Sequence, residues 1–136
     1  MRVVILCGGG SSERDVSLAS GRSVTRALLD RRHEVVLVDP AAAVPDLAGP
    51  LYPGDVVDGL TVGREPPPRS DRHRLRRRMH AALTGGTVLK LLRGAELVFL
   101  ALHGGWGEDG HVQALLEMAG VRFTGAGSGA CAAAWH

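Results

Sequence analysis

Val3-Val4-Ile5-Leu6-Cys7-Gly8-Gly9-Gly10-Ser11-Ser12-Glu13-Arg14-Asp15-Val16 decides the fold: an apolar, β-branched run empties into three glycines, and a helical pattern starts behind them. A short uninterrupted apolar run closed by a turn suits a parallel strand buried on both faces. From about Asp15, residues Val16, Ala19, Val24, Ala27 and Leu28 recur at helical spacing, with Ser11 and Ser12 available as caps and Asp30 to Arg32 closing the segment. His33 to Val38 is a second apolar run, stopped by Asp39-Pro40. Strand, helix, strand in this order predicts a parallel pair joined by a right-handed crossover.

Further along, Pro40, Pro45, Pro50, Pro53 and Pro66 to Pro68 leave room for little more than a short hairpin around Asp55 to Val62. Val88, Leu91 and Leu92 form a helical stripe that stops at Arg93-Gly94. Leu97 to Leu102 is the clearest buried strand. Asp109 then caps a helix whose Val112, Leu115, Leu116 and Ala119 fall at i, i+3, i+4 and i+7, ended by Gly120. Val121 to Phe123 reads as a short last strand and Gly127 to His136 as the start of a helix. Alternating strands and helices make an α/β chain with a parallel sheet, and place ligand loops at the carboxyl ends of its strands.

A length of 136 residues fits one domain. With 45% hydrophobic and 22% charged residues the chain can bury a core, and 4% aromatics leave few platforms for base stacking. The apolar runs fall far short of the roughly 20 residues that cross a bilayer. Val3 to Cys7 is also shorter than the core of a signal peptide, so the expected compartment is the cytoplasm, without membrane association. Cys7 and Cys131 form no CxxC pair and read as two buried free thiols. The formal charge of +2 is uneven: Arg69 to Arg78 carries six arginines and one aspartate, a local +5 that leaves −3 elsewhere. Lys90 is the only lysine among 16 basic residues, so the run reads as compositional bias on a solvated face or a mobile loop.

Two glycine-rich loops carry chemistry. In the first, Gly8 and Gly10 match the opening of a dinucleotide fingerprint, but Glu13 holds the third glycine position and would oppose a pyrophosphate; no G-K-[ST] follows either. Asp39 reads as a ribose-binding acid or an ordinary turn residue. A carboxylate beside exposed backbone N–H groups suits a zwitterion instead: Glu13 can take an ammonium, and N–H groups, Arg14 or an imidazole can take a carboxylate. Taken alone, Glu13 and Asp15 also suit the helix dipole. The second loop, His103-Gly104-Gly105-Trp106-Gly107-Glu108-Asp109-Gly110, has four glycines in eight residues, more than a structural turn needs. His103 at the end of its strand is expected to face Glu13 across one crevice; Glu108 and Asp109 read as capping residues and Trp106 as a loop anchor. No histidine spacing supports a metal site.

The stretches Leu6 to Gly21, Ala101 to Gly110 and Thr124 to Gly127 resemble the N-terminal, pre-ATP-grasp domain of the D-alanine–D-alanine ligases, members of the ATP-grasp superfamily. The resemblance implies a Rossmann-like three-layer fold with helices on both faces of a parallel sheet. It implies that Glu13 is a catalytic and substrate-binding acid that helps hold the first D-alanine, with His103, Gly104, Gly9 and Gly10 at the same site. ATP would activate this D-alanine as an acyl phosphate attacked by the amine of a second substrate: D-alanine, D-serine or D-lactate. ATP and Mg²⁺ would be held by central and C-terminal ATP-grasp domains, and none is expected on this chain. His136 stands where the family has an aspartate of an Asp-Lys pair leading into the nucleotide domain, so residues 1 to 136 are expected to be a single N-terminal domain, inactive alone. The family role is a cell-wall, peptidoglycan-precursor ligase, and its usual assembly implies a homodimer. From another class comes a stand-alone binding module using the amino-acid pocket or, as a nucleic-acid binder, the arginine run.

Overall fold

Strand β1 (Arg2–Leu6) is the middle of a three-stranded parallel sheet, between β2 (Glu34–Val38) and β3 (Leu97–Leu100). The computed structural model describes residues 1–42 and 62–135. Val4 pairs with Val36 on one side and Val98 on the other, so the strand that opens the chain is hydrogen-bonded along both edges. Its side chains alternate between two cores, as pleating requires. Val3, Ile5 and Cys7 join Leu18, Val35, Leu37 and Ala101 beneath helix α1 (Arg14–Asp30). Val4 and Leu6 join Val36, Val38 and Val98 on the other face. That face is covered by α2 (Arg69–Thr84), α3 (Gly86–Arg93) and α4 (His111–Met118), through Met79, Leu83, Val88, Leu92, Val112 and Leu116. A last helix, α5 (Ser128–Ala134), follows. The expected three-layer α/β arrangement is what forms.

Details differ from the sequence reading. The third strand stops at Leu100, although the Ala101 amide still donates to the Leu6 carbonyl at 2.8 Å. Val121 to Phe123 makes one parallel bridge, Phe123 with Val98, and no full strand. The arginine run, expected as a solvated face or mobile loop, is the first part, nearly three turns, of a 16-residue helix anchored by buried Met79 and Leu83. Helix α1 takes Glu13 as its N-cap, with no side-chain cap; the Ser11 hydroxyl instead accepts from the Glu13 amide at 3.0 Å. Helix α4 is capped by Gly110 and not Asp109, whose carboxylate accepts the His111 amide at 3.1 Å. Of the hairpin around Asp55 to Val62, residues 55–61 lie outside the described residues. Among the described residues no helix is long and apolar enough to cross a membrane.

Close packing of α1 on the sheet, which a third fingerprint glycine would permit, comes from Gly21. A Cβ there would lie 2.6 Å from Cys7 Cβ and 3.2 Å from Leu37 Cδ1, both held by the sheet. Cys7 is sealed under this contact. Burial, with Asp39 adding and Arg14 opposing, pushes its thiol from an ordinary 9.0 up to about 12. Cys131, expected buried, is partly exposed. A thiol reagent at pH 8 should therefore titrate one cysteine in the folded chain and two after unfolding. Because the unfolded chain releases the Cys7 proton first, stability should fall as pH rises from about 9 toward 12, in urea melts run across that range.

Candidate functional site

The two glycine-rich loops leave the carboxyl ends of adjacent strands and are tied together by two serines. Ser17 Oγ, fully buried in α1, accepts from the Gly8 amide at 2.8 Å and donates to the Ala101 carbonyl at 2.6 Å. One hydroxyl thus links the end of β1, helix α1 and the chain beyond β3. Ser11 Oγ donates to the His103 carbonyl at 2.5 Å, bridging the loops directly. Gly104 leaves this junction with φ of 69°, in the left-handed region that glycine adopts without strain, and a Cβ there would lie 3.1 Å from Ser11 Oγ and 3.4 Å from Glu13 Oε2. A side chain at 104 would push between the loops.

Within this frame Glu13, at the N-cap of α1, meets His103. A carboxylate oxygen of Glu13, a ring nitrogen of His103 and a carboxylate oxygen of Glu108 all lie within 4.8 Å of one another. His103 Nδ1 is 3.5 Å from Glu108 Oε1, and its Nε2 is 3.3 Å from Ser20 Oγ on α1. Two carboxylates and an imidazole from different loops therefore surround one small volume. Glu108, read from sequence as a capping residue, is a full member of the group; nothing in its spacing announces this, because Glu13 is about 95 residues away along the chain. Where sequence spacing offered no metal motif, the fold gathers three groups able to ligate a cation.

Gly9, Gly10, His103 and Gly104 line a cavity of about 640 Å³, walled on the far side by Arg69, Arg72, His73, Arg76 and Met79 of α2. Glu13 and Glu108 are not among its lining residues, so His103 stands at the border between the carboxylate group and the cavity. Trp106 anchors the second loop, stacked on His111 with centroids 5.6 Å apart and tilted against His80 of α2 at 5.8 Å. Arg14, a candidate for a ligand carboxylate, is committed elsewhere. It forms an ion pair with Asp39 and donates to the Gly9 carbonyl at 2.8 Å. Asp39 also accepts the Gly9 amide at 3.1 Å and the Ala41 amide at 2.9 Å, which makes it the organiser of the first loop.

Residues 2–126 match the family model described as the D-ala D-ala ligase N-terminus. The chain is 36% identical over 134 residues to the D-alanine–D-alanine ligase of Pediococcus pentosaceus, covering 94% of this chain and 38% of that protein. It is 35% identical over 147 residues to that of Rhodococcus opacus, covering 97% and 37%. The D-alanine-D-alanine ligase of Coxiella burnetii superposes over 97% of this chain and 37% of its own, with a TM-score of 0.57 at 18% identity. The VanG D-Ala:D-Ser ligase of Enterococcus faecalis covers 96% and 37%, with a TM-score of 0.56 at 20% identity. The chain thus spans under two fifths of the relatives it matches. With a sheet, two loops and a sequence that agree along nearly its whole length, this chain belongs to the D-alanine–D-alanine ligase N-terminal domain family.

Proposed function

We propose that this chain is the amino-acid-binding domain of an ATP-dependent D-alanine–D-alanine ligase, and that it holds the first D-alanine by its ammonium group. The observation that carries this reading is the convergence of Glu13, His103 and Glu108 within 4.8 Å at the ends of β1 and β3. An ammonium has three N–H donors and no acceptor. Two carboxylates and an unprotonated ring nitrogen offer it three acceptors, two of them charge-assisted. The chain's own part is then to bind and orient the amino acid; Ser20 holds the His103 ring, and Ser11 ties the Glu13 backbone to that of His103.

No group among the described residues suits the Mg²⁺ that accompanies ATP. The lone lysine, Lys90, lies on α3 and does not line the glycine-loop cavity, and the one acid-rich group includes a histidine, a poor partner for a hard oxygen-seeking ion. Nucleotide and metal are proposed to be held by central and C-terminal ATP-grasp domains, as the resemblance implies. Two assays test the reading. The 136-residue chain incubated with ATP, Mg²⁺ and D-alanine should form no dipeptide and release no phosphate. The same chain fused to the remaining domains of the Pediococcus pentosaceus ligase should form D-alanyl-D-alanine. A folded fusion that binds ATP yet makes no dipeptide would overturn the assignment, and turnover by the chain alone would overturn the division of labour.

A further inference from the structure

We propose that the cavity beside the amino-acid group is a separate binding site for a phosphate-bearing anion, built by the inward face of α2 and the first glycine loop. Arg69, Arg72, His73 and Arg76 fall at i, i+3, i+4 and i+7, so they share one helix face, and all four line the cavity. Arg74, Arg77 and Arg78 do not line it. The run that looked uniform in sequence is thus divided by the helix into an inward and an outward set.

Among the described residues the inward set has no countercharge. The single acid of α2, Asp71, bonds Arg74 at 3.2 Å. Among the described residues the single acid lining the cavity, Asp109, bonds the His111 amide and ring at 3.1 and 2.8 Å. Arg69, Arg72 and Arg76 make no ion pair among the described residues, and Arg72 Nε is removed from solvent without a hydrogen-bond acceptor. A desolvated guanidinium donor with no acceptor is costly, and native structures seldom leave one so. An oxyanion in the cavity would satisfy it.

The opposite wall adds the right partners. Gly10 brings the loop backbone against α2: a Cβ there would lie 2.6 Å from the Arg76 backbone nitrogen. Beside this contact the amides of Gly10, Ser11 and Ser12 donate no hydrogen bond among the described residues, and all three residues line the cavity. Guanidinium forks facing unbonded backbone N–H groups are the means by which proteins bind phosphate. Three arginines exceed what one carboxylate neutralises, which favours a multiply charged phosphate. Glu13 and Glu108 lie outside the cavity lining, so this inference stands apart from the ammonium reading.

Equilibrium dialysis of the 136-residue chain against labelled inorganic phosphate, and separately against ATP, at constant ionic strength tests it. Saturable binding of one anion per chain is expected. The R72Q/R76Q double variant, checked for folding by circular dichroism, should weaken it about tenfold or more, the loss of a charge-assisted hydrogen bond. The R77Q/R78Q variant changes net charge equally and should leave binding within about twofold, since neither residue lines the cavity and distant charges are screened at moderate salt. E13Q should leave phosphate binding intact, so failure here and failure of the amino-acid site are distinguishable. Equal affinity for phosphate and ATP would identify free phosphate as the occupant; much tighter ATP binding would identify the phosphate chain of a larger molecule. No saturable binding by either anion to the folded chain, or equal weakening by the two arginine pairs, would overturn the proposal. So would tighter binding of a DNA oligonucleotide that depends equally on both pairs.

Discussion

Asp39→Ala should destabilise the fold by about 3–5 kcal/mol, the range for stripping one partner from a buried ion pair. Asp39 and Arg14 keep only 10% and 18% of their side-chain surface exposed, so solvent cannot replace the lost contact. The substitution also strands the Gly9 and Ala41 amides, which the same carboxylate accepts at 3.1 and 2.9 Å. Asp39→Asn retains an acceptor for those amides while removing the charge, and should fall between the two. Urea unfolding monitored by circular dichroism measures both. A loss under about 1 kcal/mol for Asp39→Ala would mean that Arg14 finds water or another acceptor, and that the first loop does not depend on the pair.

The second large effect concerns the proposed ammonium site, in a ligase carrying all its domains. Glu13→Gln keeps the shape of the side chain and removes its charge, which should cost about 1.5–3 kcal/mol, roughly a tenfold to hundredfold rise in KM for the first D-alanine. KM for ATP should be little changed. His103→Ala should impair the same substrate, and the double variant should lose less than the product of the two single losses, since both groups would contact one ligand. Glu108→Gln should behave like Glu13→Gln. Fully additive losses, or a shift confined to ATP, would leave Glu13 as a helix-dipole residue and His103 as a structural one.

What could be read from the sequence follows from what each signal measures. Periodicity and punctuation found β1, α1 and β2, because Val3 to Leu6, the Val16 to Leu28 stripe and the Asp39-Pro40 stop are local patterns. The same logic missed α2. Its buried residues, Met79 and Leu83, sit one turn apart beneath six arginines and an aspartate, so charge obscured a stripe too narrow to stand out. The end of β3 was placed two residues late because Ala101 and Leu102 are apolar and buried although the ladder ends at Leu100. That Glu13 and His103 lie close together was legible in loops whose glycine content exceeded structural need. The approach of Glu108 to them was not, since it arises from a loop-to-loop contact that no linear spacing records, and the shared face of Arg69, Arg72, His73 and Arg76 becomes a pattern only once the run is helical.

The central position of β1 has a consequence for how the chain is made. Its first neighbour, β2, ends at Val38, but its second, β3, starts only at Leu97. At synthesis rates of about 5–20 residues per second, the intervening stretch takes several seconds to appear. Through that interval the nascent strand–helix–strand unit offers the free edge of Val3, Val4, Ile5 and Leu6, a bare β-branched ladder of the kind that pairs with other chains. Newly made copies crowded on one messenger are therefore most prone to misassociate before residue 97 emerges, and slowing translation across residues 39–96 should lower the soluble yield.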